Sequence, residues 1–127
     1  MRNKRALRSW IAETIAGKGF QLNSLNIILV DDKHIARLNE KLLHHKGATD
    51  VLTFQYNGKG EAVDGEVFIS TETVAENAKR FKVSLEHELH RVMIHGVLHL
   101  LGYSDKTPAM RKKMKRAEDS RLRFLNV

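Results

Sequence analysis

The stretch ELHRVMIHGVLHLLGYSD, residues 88–105, decides the fold, because its apolar residues recur at helical spacing up to a glycine. His95 and His99 are four residues apart, so both imidazoles lie on one face of the predicted helix, about one turn apart. Gly102 offers a helix stop, because glycine readily takes the left-handed conformation that ends helices. Past that stop, Asp105 can fold back toward the histidines. Two imidazole nitrogens and a carboxylate oxygen leave a coordination position open, which indicates a hydrolytic metal centre.

The histidine pair also has an ordinary interpretation. A histidine on an apolar helix face is more often a satisfied core residue than a ligand, and pairs at this spacing occur by chance. The glycine stop and the carboxylate beyond it favour metal binding, since two polar rings in so apolar a helix need partners.

The residues beside the histidines limit the chemistry. Metalloproteases of the HExxH type place a glutamate directly after the first histidine as general base. Gly96 holds that position here, so peptide hydrolysis by that route is disfavoured. A glycine there would let another backbone or a bulky substrate approach the helix closely. Arg91, one turn before His95, either faces an anionic substrate or forms an ion pair with Glu88 or a neighbouring helix.

Composition restricts the class of protein. At 127 residues the chain suits one domain, predicted to span residues 1–127. The absence of cysteine excludes disulfides and thiolate metal sites. No apolar run approaches the roughly 20 residues of a membrane span, and the basic N-terminus lacks a signal-type hydrophobic region. We therefore expect a cytoplasmic protein without a membrane partner.

The charge balance indicates the kind of partner. Lysine and arginine total 22 against 15 acidic residues, a net charge of +7. Such a balance favours polyanions, because each neutralised phosphate releases counterions. Charge alone is weak evidence, since many basic proteins bind nothing anionic.

The rest of the chain alternates helical and strand patterns. The first half is predicted to contain a helix over residues 2–16, a strand over 25–30, and a helix that is capped by Asp31 or Asp32 and closed by His44 and His45. Strands over 49–56 and 63–69, joined by a turn at 57–60, are predicted to be adjacent and antiparallel. A helix over 71–81, the histidine helix capped by Ser84, and a last helix capped by Thr107 with Pro108 at its first position complete the chain. The fold class predicted is α+β: a small mixed β-sheet packed with about five helices, and the metal site at the end of the histidine helix.

At this histidine stretch the chain resembles the YbeY family of endoribonucleases, which carry an HGxLHLxGYDH motif whose histidines bind a zinc-type metal. Residues 95–103 follow that motif through its tyrosine. Upstream, residues 49–54 (TDVLTF) are similar to the family's TDVLSF strand, and residues 65–70 (GEVFIS) to its following strand. With Leu38-Asn39 before them, the resemblance covers about residues 25–105.

The resemblance implies a single-strand-specific, metal-dependent endoribonuclease of rRNA maturation, acting in 16S rRNA 3′-end processing and ribosome quality control. Its partners would be single-stranded rRNA precursor and the ribosome, with no nucleotide cofactor. The metal ligands would be His95, His99 and Asp105, and Zn²⁺ would be the best-fitting divalent ion. The catalytic set would comprise His95, His99 and Arg91, and basic residues would bind flanking phosphates. The RNA-binding candidates are Lys46, Arg111, Lys112 and Lys115.

Two positions depart from the family pattern. Asp105 stands where the family has its third histidine, and Ser104 where it usually has aspartate. A carboxylate is an acceptable zinc ligand, but its charge weakens the Lewis acid and makes harder ions more competitive. Leu43 stands where the family often has a functionally important arginine.

Two other functions fit the same residues. One is a metal-dependent hydrolase for another substrate, such as a peptide or a small phosphoester. The other is a ribosome-assembly factor whose metal is only structural, which would require a fourth protein ligand, from Ser104 or a distant carboxylate.

Overall fold

A computed structural model describes residues 4–43 and 49–125 of the chain. Within this part, five helices and three strands follow one another in the order predicted, and the α+β fold with a small mixed sheet is confirmed. The elements are α1 (Lys4–Gly17), β1 (Leu22–Val30), α2 (Asp32–Leu43), β2 (Val51–Gln55), β3 (Val63–Ser70), α3 (Thr71–Phe81), α4 (Leu85–Leu100) and α5 (Pro108–Leu122). None of the described helices is long and apolar enough to cross a bilayer.

The sheet has the strand order β1-β3-β2. β2 and β3 are antiparallel neighbours, as their connection predicted, and Asn57 Oδ1 in that connection accepts a hydrogen bond from Asp64 N at 3.0 Å. β1 and β3 are parallel. Between them in the chain come α2 and then β2, which runs in the opposite direction on the other side of β3. The central β3 is the most buried strand, with Val63, Val67 and Ile69 at 1% exposure or less.

The first strand is longer than predicted. It begins at Leu22, three residues before the apolar run that indicated it. Residues 22–24 are exposed, so no burial pattern marks them in the sequence. Main-chain pairing with Val63 and Asp64 of β3 extends the strand, across an irregularity between Leu22 and Ser24.

The histidine helix α4 forms the centre of the core and packs on one face of the sheet. Ile94, Val97 and Leu98 are fully buried, and each such side chain contributes about 1.5–3 kcal/mol of burial free energy. Gly96 permits the close packing. A Cβ on this residue would lie 2.7 Å from Val67 Cγ1 and 3.4 Å from Val51 Cγ2. The sheet, and no substrate, therefore occupies the space that the missing side chain leaves.

The first and last helices are joined by side-chain hydrogen bonds. Trp10 Nε1 of α1 donates to the carbonyl of Arg121 in α5 at 2.9 Å. Arg121 Nε in turn donates to Thr14 Oγ1 at 2.7 Å. Since Trp10 and Thr14 are buried, these bonds satisfy polar groups in the core and fix α5 against α1.

Candidate metal centre

The predicted ligands come together at the C-terminal end of α4. His95, His99 and Asp105 each offer one ligand atom, and these three atoms all lie within 4.8 Å of one another. The two imidazole rings are 4.9 Å apart between centroids, and His99 Nε2 is 3.6 Å from Asp105 Oδ2. All three side chains keep some contact with solvent, as a site that admits a substrate requires.

The helix stop predicted at Gly102 brings Asp105 back to the histidines. Gly102 has φ +99°, the left-handed conformation that glycine adopts without strain. Its N–H donates to His99 O at 3.1 Å, and the N–H of Tyr103 donates to Leu98 O at 3.0 Å, so the last turn of α4 closes on itself. Beyond the turn, Arg111 Nη1 of α5 donates to the carbonyl of Asp105 at 3.1 Å and fixes this segment.

A carboxylate that the sequence did not indicate completes the surroundings of His95. Glu118 of α5 is only 6% exposed, and its Oε2 lies 2.6 Å from His95 Nδ1. Its other oxygen accepts a hydrogen bond from Arg91 Nη1 at 2.9 Å. One signal in the sequence marks it: Glu118 lies four residues from both Met114 and Leu122, on the apolar side of an otherwise basic helix.

Arg91 lies against α5. Its Nη2 donates to Asp119 Oδ1 at 2.9 Å, in addition to the bond with Glu118, so the guanidinium pairs with a neighbouring helix. Burial opposes the charged form of Arg91, but the hydrogen bonds that it donates to Asp119 and Glu118 outweigh this effect and raise the pKa of Arg91. Such an ion pair is one of the two alternatives that the sequence indicates for Arg91.

The electrostatics of His95 follow from the same contacts. Burial disfavours the imidazolium, yet the hydrogen bond and charge of Glu118, with the charges of Asp50 and Asp105, raise the pKa of His95 above its ordinary value of 6.5. Burial also raises the pKa of Glu88, which is 3% exposed in the preceding turns of α4.

A groove of about 560 Å³ passes this site. It lies between the end of α3, α4 and α5, and His95 and Asp105 contribute to its wall together with Arg111 and Lys115. Two of the four RNA-binding candidates therefore lie beside the ligand group. Lys112 is exposed on α5 but is not among the residues that line the groove, and Lys46 lies outside the described residues.

The donor set fits a divalent ion of the zinc type. Two imidazoles and one carboxylate are ligands that Zn²⁺ accepts, and three protein ligands leave room for water or substrate. The contact with Glu118 engages Nδ1 of His95, so Nε2 is the nitrogen of that ring that remains for a metal. Among the described residues, His95, His99 and Asp105 form the group that could bind one metal ion together.

Comparison with known proteins identifies the family. The family model described as Endoribonuclease YbeY matches residues 2–126. An Endoribonuclease YbeY of Flavobacterium psychrophilum is 39% identical over 127 residues, which cover 100% of this chain and 90% of the relative. One of Chlorobaculum parvum is 47% identical over 105 residues, 83% of this chain and 74% of the relative.

A solved structure agrees with this assignment. The solution structure of a Thermotoga maritima protein is similar with a TM-score of 0.65 and 31% identity, over 94% of this chain and 85% of that one. Since the family model spans nearly the whole chain, the resemblance seen in the sequence is confirmed and the chain belongs to the Endoribonuclease YbeY family.

Proposed function

We propose that this endoribonuclease cleaves single-stranded rRNA precursors with the help of one divalent ion, Zn²⁺, held by His95, His99 and Asp105. One observation carries the proposal: in a member of this family, three ligand-type side chains meet beside a groove that also contains Arg111 and Lys115. The proposed setting is 16S rRNA 3′-end processing and ribosome quality control in the cytoplasm, with the ribosome as partner.

The residues of the site would have different roles: some would bind the metal ion and others would position these ligands. A bound ion supplies Lewis-acid stabilisation to the phosphodiester that is cut. His95 and His99 would hold the ion from α4, and Asp105 would hold it from the turn that Gly102 makes. Arg91, one of the predicted catalytic residues, has its guanidinium engaged by Glu118 and Asp119, so we assign it to positioning Glu118.

The chemical types of the residues in and around the groove support RNA as the substrate and an open metal site. Backbone phosphates of an RNA strand in the groove would meet Arg111 and Lys115, whose charges offset the nearby carboxylates of Asp105, Glu88 and Glu118. A hydrolase for peptides is disfavoured because Gly96 replaces the general base of the helical metalloproteases. The three-member ligand group among the described residues supports an open site over a structural one.

Metal removal tests the proposed function. Protein stripped with a chelator should lose cleavage of a labelled single-stranded RNA, regain it on adding Zn²⁺, and leave the matching duplex uncut. The expected loss is more than about a hundredfold in cleavage rate, since the ion provides the main stabilisation of the developing charge. Cleavage that persists unchanged in the stripped protein, verified by metal analysis, contradicts the metal-dependent function.

The variant Asp105→His gives this experiment a second arm. A third imidazole removes one negative charge from the ligand set, so the variant should prefer Zn²⁺ over Mn²⁺ and Mg²⁺ more strongly than the original protein does. Equal metal preference in the two proteins would mean that Asp105 is not a ligand.

The double variant Arg111→Gln/Lys115→Gln tests the groove as the RNA site. Losing two phosphate contacts should reduce the slope of log K against log salt by about 1.4, at about 0.7 per contact for single strands, and weaken binding across sequences. Fluorescence anisotropy with single-stranded RNA at several salt concentrations measures both. The matched control is Lys33→Gln/Arg37→Gln, which removes the same charge from the exposed side of α2, and an equal effect of the control would contradict the assignment.

A further inference from the structure

We infer that Glu118 is a positioning residue of the metal centre: it holds the His95 ring through Nδ1, so that, when the ion is bound, Nδ1 carries the hydrogen and Nε2 presents its lone pair to the ion. The inference rests on the proposed metal site and adds a residue that neither the family motif nor the ligand group contains. The main observation behind it is the contact between Glu118 Oε2 and His95 Nδ1, which are 2.6 Å apart.

The carboxylate is well placed to impose one ring orientation. Glu118 is 6% exposed, so water does not compete effectively for its oxygens. Arg91 holds Oε1 at 2.9 Å, which leaves Oε2 directed at the imidazole. A carboxylate behind a metal-bound histidine fixes the tautomer and the ring orientation and raises the basicity of the ligand.

The support for Glu118 extends through α5. Met114 and Leu122, one turn before and after it, are 2% and 3% exposed, so the helix face that carries Glu118 is anchored in the core. Arg91 also forms an ion pair with Asp119, so the positive charge of the guanidinium is shared between the carboxylates of two adjacent residues, Glu118 and Asp119. The ring of His95 is thus oriented from a helix that contributes no ligand of its own.

Nitrogen-15 NMR of the zinc-loaded full chain, labelled at histidine, is the direct test. We expect His95 to show a protonated Nδ1 and a metal-bound Nε2. Zinc bound through Nδ1 overturns the inference, and this outcome does not depend on any variant or on RNA cleavage. A protein that shows the expected tautomer but cuts no RNA would contradict the proposed function alone.

Variants of Glu118 measure what the contact contributes. Glu118→Met keeps most of the side-chain volume without an acceptor, and should lower zinc affinity about 10- to 100-fold in competition with a chromophoric chelator, with loss of the single tautomer. Glu118→Gln retains an acceptor oxygen and should recover most of the affinity and the tautomer.

The neighbouring carboxylate provides the matched control. Asp119→Asn alters the partner of Arg91 but not the contact with His95, and should change zinc affinity less than about threefold. A Glu118→Met protein that keeps its affinity and tautomer overturns the inference. So does a loss of thermal stability in that variant without any change in the imidazole signals, since this would show a merely structural role.

Discussion

Replacing His99 with alanine should abolish tight zinc binding and lower kcat/KM for single-stranded RNA by more than about a hundredfold. His99 Nε2 is 3.6 Å from Asp105 Oδ2, and loss of His99 would leave only two of the three proposed ligands, too few to hold an ion tightly. The side chain is 30% exposed, so its truncation opens no large cavity and the fold should persist. Cleavage assays, zinc titration and thermal unfolding of the same preparation separate loss of metal from loss of structure.

The matched control for this variant is His34→Ala. His34 lies in α2, is exposed, and does not belong to the ligand group. It should retain zinc affinity and cleavage close to those of the original protein. If His99→Ala cut RNA as fast as His34→Ala, the ligand group would have no part in catalysis.

The second large effect is expected from Gly96→Ala, which adds one methyl group between the two histidines that we propose as ligands. The new Cβ would lie 2.7 Å from Val67 Cγ1, closer than Cβ atoms come to their neighbours in real structures. Val67 is fully buried on the central strand and β-branched, so it has no room to turn away. Overpacking of this kind costs about 1–3 kcal/mol of unfolding free energy, or several degrees in Tm.

The metal site should respond together with the fold. α4 has to move off the sheet to admit the methyl group, and His95 moves with it relative to Glu118 on α5. We therefore expect weaker zinc binding in addition to the lower Tm, measured by chelator competition and calorimetry. A Gly96→Ala variant with unchanged Tm would contradict the packing explanation, because it would mean that Val67 and the sheet can move aside without loss of unfolding free energy.

Two further variants make the Gly96 experiment specific. Gly17→Ala adds the same methyl group at the end of α1, where nothing lies within 4 Å, and should leave stability unchanged or slightly higher. Val67→Ala removes the atom that clashes, so the double variant Gly96→Ala/Val67→Ala should be more stable than the sum of the two single changes predicts. Strict additivity would contradict the packing explanation.

The features that depend on local pattern were predictable from the sequence. The helix stop at Gly102, the hydroxyl caps at Ser84 and Thr107, and the antiparallel pairing of β2 with β3 are confirmed. Each of them is encoded within a few consecutive residues, by glycine geometry, by capping side chains or by a tight turn. The family and the α+β class are confirmed as well. Zinc as the ion and the roles of the site residues stay predictions.

The features that depend on tertiary packing were not predictable. Glu118 lies at helical spacing from Met114 and Leu122, which places it on the apolar side of α5, but only the packing of α5 on α4 brings its carboxylate to His95. The close approach at Gly96 was expected, but the sequence does not show that valine side chains of the sheet make it. The early start of β1 at Leu22 depends on a partner strand some forty residues away.

The bond between Trp10 and Arg121 has a consequence for the synthesis of the protein. A growing chain makes His95 and His99 before it makes α5, so until that helix has been made His95 lacks Glu118 and α1 lacks its hydrogen-bond partner. Domains generally fold as units during translation, and here the unit is incomplete until its last helix arrives. The contact between His95 and Glu118 can therefore form only after α5 has been made, so we expect the proposed metal centre to reach its final geometry later than the helix that carries its two histidines.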